Sequence, residues 1–303
     1  MTIILGENRY GKAENRVFRV TRHGDTHEIL DLNVSVQLSG DFAATHLTGD
    51  NRNVLPTDTQ KNTVFALSHL HGAMEPEAFG LVLARHFLSN HPHILTVEVR
   101  LEKFDWDRIV CNGTPHPHAF RRNGSLIRTA TVLASRTTTG VRELVVSGLK
   151  DLTVLKTTGS EFKGYLRDQF TTLAETTDRI MATQICARWH ATATDAATLD
   201  RLDWLNQYNQ ALHALLTTFA EHHSLSLQQT LYAMGERALS VLPAIAAIKL
   251  SLPNKHHFAV DLSGCGQENC NEVFIAADRP YGLIEAVIQR DNAPAMTEIW
   301  PSW

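Results

Sequence analysis

The stretch EILDLNVSVQL, residues 28–38, alternates apolar and polar side chains along its whole length. Because successive side chains of a β-strand point to opposite faces of the sheet, this pattern predicts a half-buried antiparallel strand. The preceding stretch YGKAENRVFRVTRHG, residues 10–24, is the predicted hairpin partner, with the turn near Gly24-Asp25. The residues of the predicted buried face are Leu30, Leu32, Val34, Val36 and Leu38.

Two helices and further strands are predicted after this hairpin. One helix starts near Thr57, and the other follows Pro76, a residue favoured in a first helical turn. The stretch ILTVEVRLEKF then alternates again, and the runs after it that are typical of strands are DRIVCNG, SLIRTATVLASR and GVRELVVSGL. The residues predicted to share one face of ILTVEVRLEKF are Leu95, Val97, Val99 and Leu101.

The second half of the chain repeats this order of elements. LTVLKTT and DRIMATQICARWHATAT are predicted strands, with a short helical piece between them near GYLRDQFTTL. Two helices follow, in DRLDWLNQYNQALHALLTTFAEHH and SLQQTLYAMGERALSVL. The last predicted strands are IAAIKLSL, HHFAVDLSG and LIEAVIQR, and residues 264–280 are expected to form a loop.

The repeated order predicts an α+β fold with two antiparallel sheets, each carrying a helix pair on one face. The predicted divisions are residues 1–140 and 141–290 for two repeats and 291–303 for an extended C-terminal arm. Such sheets leave edges and a second face without a cover, and natural proteins close or cover sheet edges. We therefore expect the chain to self-associate.

Composition excludes several classes of protein. The chain has 303 residues, 43% apolar and 20% charged, with a formal net charge of −4, so no basic field attracts nucleic acid. The sequence shows no apolar run long enough to span a membrane, no signal peptide and no C-terminal Ser-Lys-Leu. We therefore expect a cytoplasmic protein with reduced cysteines at positions 111, 186, 265 and 270.

Motifs for metals and nucleotide cofactors are weak or absent. Histidines are numerous, 16 in all, and some occur in the pairs HLH, HPH and HPH, but no HExxH motif accompanies them. Cys265 and Cys270 have no second pair and make a poor zinc half-site. The glycine-rich motifs of dinucleotide and P-loop proteins and the G-x-S-x-G elbow are absent. A metal site held by the histidine pairs stays open as an alternative.

Three polar stretches have both a structural and a functional interpretation. Thr57 and Gln60 have the spacing of a capping box, as do Ser226 and Gln229. Both helix starts also present free backbone N–H groups that suit an electron-rich ligand. The third stretch, SLPNKHHF, is interpreted structurally as a polar hairpin turn.

Several stretches together resemble urate oxidase (uricase): YGKAENRV, LPTDTQKNT, PHPHAF, LTVLKTTGSEFKGYLRDQFTTLAETTDRI, SLQQTLY and SLPNKHHF. The resemblance covers about Tyr10 to Gly282. It implies two tandem tunnelling-fold (T-fold) repeats and a homotetramer. In that homotetramer the sheets form barrels and the active sites lie at subunit interfaces. It also implies oxidation of urate by dioxygen and water to 5-hydroxyisourate and hydrogen peroxide, with no metal and no organic cofactor.

The resemblance assigns substrate contacts to particular residues. Phe162 resembles the ring that stacks on the purine, and Arg179 resembles the arginine that grips one ligand edge. Gln228 resembles the amide that pairs with the pyrimidine-ring edge. Leu227 resembles a residue that contacts the ligand through its backbone, and Asn254 resembles the residue that holds dioxygen or water above the ring. These roles come from matching positions in the quoted motifs.

The same resemblance assigns a proton relay. Thr57 and Asp58 resemble a pair that reaches the five-membered ring of the purine from a neighbouring subunit, and Lys12 and His256 resemble the relay partners of Thr57. Two alternatives stay open. One is a metal-dependent pterin or purine enzyme on the same scaffold, and the other is a purine-binding assembly without catalysis.

Overall fold

The structure, a computed structural model, describes residues 2–293 and Trp300. The strands of this part of the chain are β1 (Tyr10–His23), β2 (Thr26–Gly40), β3 (Ile94–Cys111), β4 (Thr114–Thr137), β5 (Gly140–Lys156), β6 (Met181–Ala191), β7 (Ile245–Ala259) and β8 (Phe274–Gln289). The helices are α1 (Ala43–Leu47), α2 (Thr57–His71), α3 (Pro76–Asn90), α4 (Ala196–Leu199), α5 (Trp204–Glu221) and α6 (Leu227–Val241). In the sheet the strands follow chain order from β1 to β8.

The opening hairpin is confirmed. Strands β1 and β2 pair antiparallel from Tyr10–Leu38 to His23–Thr26, and the turn between them contains Gly24 at a φ of 62°. All the residues predicted for the buried face of β2 are buried, with exposed fractions between 0% and 8%. The period-two pattern of the sequence therefore identified both the strand and its inward face.

One residue of the predicted face of β3 is on the wrong side. Leu95 is 50% exposed, whereas Val97, Val99 and Leu101 are buried as predicted. The pairing of β2 with β3 steps from Ser39–Thr96 to Gly40–Ile94, so Leu95 is the extra residue of a β-bulge. A bulge reverses the alternation of side chains beyond it, and Ile94 takes the buried position instead.

Helices α2 and α3 confirm the predicted pair in the first half. Helix α3 has Pro76 in its first turn and packs on β3 and β4, and α2 packs on β1. The side chains of Phe79, Leu83 and Phe87 on α3 are buried in the same apolar cluster as Val34 and Val36 of β2. The short helix α1 was not predicted.

Three predictions for the second half are wrong. The GYLRDQFTTL segment contains no helix. Phe162 and Thr176, which flank it, form an isolated bridge with each other, and nearby Ser160 forms another with Ser224. SLPNKHHF is not a turn, since β7 runs through it as one strand. Residues from Phe274 onward belong to β8, so the expected loop 264–280 ends earlier and begins with a short 3-10 helix at Ser263–Cys265.

The described residues form two compact units. The first contains residues 2–148 and 190–206 together with Trp300, and the second contains Leu149–Trp189 and Gln207–Ala293. The division into repeats at 1–140 and 141–290 stays a prediction. The predicted C-terminal arm, 291–303, lies mostly outside the described residues. None of the helices in the described part of the chain is both long enough and apolar enough to cross a membrane.

Candidate active site

The residues with predicted roles fall into two groups, one in each unit. The first-unit cluster consists of Lys12, Thr57 and Asp58. The second-unit cluster consists of Phe162, Arg179, Leu227, Gln228, Asn254 and His256.

Lys12 lies near the start of β1, where two strands approach closely. It pairs with Val36, and the pairing then shifts by a bulge between Lys12 and Asn15. A Cβ on the preceding Gly11 would lie 1.8 Å from the carbonyl oxygen of Val36. No other residue fits there without moving the strand, so Gly11 fixes the backbone that carries Lys12.

Tyr10 ties the strand of Lys12 to the start of α2. Its hydroxyl accepts a hydrogen bond from the Leu55 N–H at 2.8 Å and donates to the Leu55 carbonyl at 3.2 Å. Burial raises the pKa of Tyr10, so the hydroxyl keeps the proton that it donates. Leu55 is two residues from Thr57, and this pair of hydrogen bonds therefore holds Lys12 and Thr57 in one locality.

Thr57 is the first residue of α2 and not its cap. The cap position is Pro56, with no side-chain hydrogen bond, so the predicted capping box at Thr57 and Gln60 is wrong. The reason is that the helix starts one residue earlier than the motif implies, and Gln60 N donates to Pro56 O at 3.1 Å. The hydroxyl of Thr57 is released from a capping role, and the residue is exposed.

Asp58 is an exposed, ionised carboxylate in the first turn of α2, as predicted. The ion pair with Lys61 lowers the pKa of Asp58 most. A hydrogen bond from Asn62 Nδ2 at 3.0 Å and the charge of Lys12 lower this pKa further. The Asp58 side chain is still 69% exposed. The first-unit cluster thus gathers a cation, a hydroxyl and an anion on an open surface.

In the second unit, backbone bridges bring Phe162 and Arg179 together. Phe162 pairs with Thr176, with its N–H donating to Thr176 O at 2.9 Å, and Arg179 N donates to Ser160 O at 2.8 Å. Ser160 also pairs with Ser224, just before α6. These contacts between distant residues fix the segment without a helix.

Arg179 and Phe162 form a surface that suits a flat anion. The guanidinium carbon of Arg179 lies 5.1 Å from the centroid of the Phe162 ring. Its Nε is buried and has no hydrogen-bond partner among the described residues, and burial lowers the pKa of Arg179. Partial burial of a guanidinium costs free energy, which an anionic ligand with acceptors on its edge would offset through the exposed part of the group.

The start of α6 places Leu227 and Gln228. Ser226 caps the helix, accepting from Gln229 N at 3.2 Å, and the Gln229 side chain accepts from Leu225 N at 2.9 Å. The predicted capping by Ser226 is confirmed. Leu227 is buried, with 2% of the residue exposed, and its predicted backbone contact with a ligand stays a prediction, whereas Gln228 is exposed.

Asn254 and His256 lie on β7, where the pairing with β8 shifts between them. The ring of His256 stacks on Phe258 with centroids 5.6 Å apart. Burial lowers the pKa of His256 most, and the positive charges of Arg179 and His257 lower it further. His256 is therefore neutral at neutral pH and able to accept a proton.

The contacts join part of the predicted set. In the second unit the charge of Arg179 acts on His256 and its guanidinium lies over Phe162. In the first unit the charge of Lys12 acts on Asp58. The roles of all these residues stay predictions. Sequence reasoning did not single out Tyr10 or Tyr165, although both stand in the quoted motifs.

The histidine pairs do not assemble a metal site in the described part of the chain. The rings of His116 and His118 meet edge to face with centroids 4.5 Å apart. No group of three or more His, Cys, Asp or Glu side chains among the described residues has an arrangement that could hold a metal ion.

The chain is similar to known proteins over nearly its whole length. Residues 8–133 and 145–285 match the family model "Uricase". The chain is 50% identical to the uricase of Arthrobacter globiformis over 298 residues, 98% of this chain and 94% of that protein. It is 38% identical to the uricase of Dictyostelium discoideum, covering 95% and 98% of the two chains. The crystal structure of the Arthrobacter globiformis uricase superposes with a TM-score of 0.92 over 99% of each chain, which confirms the predicted T-fold α+β class.

Proposed function

The chain belongs to the uricase family, and from this premise we propose how it works. It is a urate oxidase, an oxidoreductase with dioxygen as the acceptor. The proposed reaction converts urate, dioxygen and water to 5-hydroxyisourate and hydrogen peroxide. The alternative of a metal-dependent pterin or purine enzyme finds no support among these relatives.

Urate is recognised by the second-unit cluster. The observation that carries this assignment is the half-buried guanidinium of Arg179 beside the Phe162 ring, with its carbon 5.1 Å from the ring centroid. Phe162 stacks on the purine, and the planar guanidinium of Arg179 donates to the acceptors on one edge of the anion. Gln228, exposed at the start of α6, offers both a donor and an acceptor to the lactam edge.

Protons are moved by Lys12, Thr57 and His256. Dioxygen reacts slowly with closed-shell molecules, so the protein must keep urate in an electron-rich anionic form and then manage protons on peroxide and water. A threonine hydroxyl is a weak base alone. In the proposed relay Lys12 first gives up its own proton, and its neutral amine then accepts the proton of Thr57. His256, neutral at neutral pH, passes protons on, while Asn254 holds dioxygen or water above the ring.

The working unit is a homotetramer in which a first-unit cluster and a second-unit cluster from different subunits complete each site. Two features support this proposal. Thr57 and Asp58 are exposed in the single chain. The last strand, β8, also carries exposed apolar side chains, which a partner would cover, namely Ile275, Leu283 and Val287.

The activity is tested by incubating chelator-treated protein with urate in air. We expect urate absorbance to fall and hydrogen peroxide to accumulate in equal amounts, with no stoichiometric metal in the active protein. Absence of urate loss would contradict the assignment. Activity that disappears with the chelator and returns with zinc would instead favour the metal-dependent alternative.

A further inference from the structure

Tyr165 lies flat against the ring proposed to bind the purine. The centroids of Phe162 and Tyr165 are 4.8 Å apart, and the two ring planes differ by 13°. This is a stacked pair, the geometry in which one aromatic ring covers a face of another. A phenyl ring has two faces, so a flat ligand that stacks on Phe162 must use the face opposite Tyr165.

Tyr165 is itself held at its polar end. Its hydroxyl donates to Leu173 O at 2.6 Å, and Arg167 Nη2 donates to the same carbonyl at 3.1 Å. The Arg167 guanidinium carbon also lies 5.6 Å from the centroid of the Tyr165 ring. The ring of Tyr165 is therefore anchored by its hydroxyl and flanked by a cation.

The ring of Phe162 has no polar atom and no comparable anchor. Its backbone is fixed by the bridge to Thr176, but only packing determines the plane of its ring. Outside the strands and helices, a phenylalanine without a packing partner would sample several side-chain rotamers and lose this freedom on binding. The anchored ring of Tyr165 removes that freedom beforehand.

We propose that Tyr165 is a positioning residue that fixes the plane of Phe162 and so prepares its free face for the flat purine anion. This inference rests on the proposed role of Phe162 in urate binding. Because Tyr165 supports the ring in the free enzyme and throughout the reaction, it contributes to binding of substrate and transition state alike. Its loss raises KM and leaves kcat nearly unchanged.

The test uses titration calorimetry to measure the affinity of purified variants for a purine analogue that is not oxidised. KM and kcat for urate are measured for the same variants. Tyr165→Leu removes the stack, and we expect the Kd of the analogue and the KM of urate to rise by about 2- to 12-fold. Tyr165→Phe keeps the stack and restores affinity to within about 2-fold of the parent. Phe170→Leu, an aromatic in the same segment that is 79% exposed, is the matched control and binds as the parent does.

Phe162→Leu separates this proposal from the one on which it rests. If Phe162→Leu weakens analogue binding and Tyr165→Leu does not, Phe162 keeps its role and the proposal for Tyr165 is wrong. If neither variant weakens binding, both assignments are wrong. Thermal unfolding is measured for each variant, since a purely structural role lowers Tm without changing the Kd of the folded protein. Tyr165→Met, of similar volume, replaces Tyr165→Leu if that variant does not fold.

Discussion

The first-unit and second-unit clusters differ in how they are held. Asp58 of the first-unit cluster is 69% exposed and pairs with Lys61 on the same helix, so its charges stay in contact with water. In the second-unit cluster, Arg179 is half-buried, its Nε has no partner among the described residues, and it lies beside the Phe162 ring, which stacks on Tyr165. A partly desolvated surface of a ring and a guanidinium suits recognition of a flat anion, whereas exposed polar groups suit proton transfer.

This difference separates binding from chemistry. Changes at Phe162, Arg179 or Gln228 of the second-unit cluster are expected to alter affinity for purines, and changes at Lys12 or Thr57 of the first-unit cluster are expected to alter turnover. The contrast fails if variants in the two clusters have the same kinetic signature.

The largest effect is expected from the first-unit cluster. Lys12→Met or Thr57→Ala removes a relay group, and positioned acid–base groups contribute about 100- to 10,000-fold to rate. We expect kcat to fall within that range while the Kd of an inert purine analogue changes by less than about 3-fold. Thr63→Ala, a partly buried threonine on the same helix, is the control. Equal losses of turnover and affinity would contradict a relay.

Arg179→Gln is expected to act on affinity. Hydrogen bonds to charged groups contribute about 1.5–3 kcal/mol, so the Kd of the analogue is expected to rise by roughly 10- to 150-fold. Calorimetry measures this directly. Arg237→Gln, an exposed arginine on α6, is the matched control and is expected to bind as the parent does. A variant at Arg179 that binds normally but turns over slowly would reverse the roles of the two clusters.

Tyr10→Phe tests whether the first-unit cluster depends on the link between β1 and the start of α2. The variant loses both hydrogen bonds to Leu55 and leaves a backbone N–H without its partner. We expect kcat to fall by about 3- to 10-fold, with affinity for the analogue unchanged. Tyr232→Phe, which loses only a 3.4 Å hydrogen bond to Glu236, is the control. Loss of affinity with normal kcat would place Tyr10 with the binding residues.

The smallest effect concerns the pH dependence of His256. Its pKa lies below the ordinary value of 6.5, and a neutral imidazole is needed to accept a proton, so kcat/KM is expected to fall as pH drops through that lowered pKa. His257→Asn removes a neighbouring positive charge, which raises the pKa of His256. We expect the acidic limb of the kcat/KM profile to move to higher pH by a few tenths of a unit. A shift to lower pH would contradict this arrangement.

Local patterns in the sequence identified the elements that depend on local physics. Alternation in residues 28–38 identified the buried face of β2, Pro76 marked the start of α3, and Ser226 with Gln229 marked the cap of α6. Each of these features depends on side-chain periodicity or on hydrogen bonds within one helical turn.

The features that were missed depend on contacts between distant residues. Leu95 is exposed because the pairing of β3 with β2 shifts, and pairing register is not written in one strand alone. The GYLRDQFTTL segment has helix-forming residues, but Phe162 and Ser160 on one side of it pair with Thr176 and Ser224. The residues of both clusters were identified by resemblance, and no local pattern indicates that Tyr165 stacks on Phe162.

We propose that each site combines clusters from two subunits. The sharpest test co-expresses two impaired chains and assays the mixed oligomers at a urate concentration far below the KM of the Arg179→Gln variant. One chain carries Thr57→Ala and the other carries Arg179→Gln, and differently tagged mixed oligomers are purified. If subunits share sites, random mixing restores about a quarter of the sites of the parent, and urate oxidation recovers to that extent. If each chain builds its site alone, the mixed oligomers stay as inactive as the separate variants, and the account is wrong.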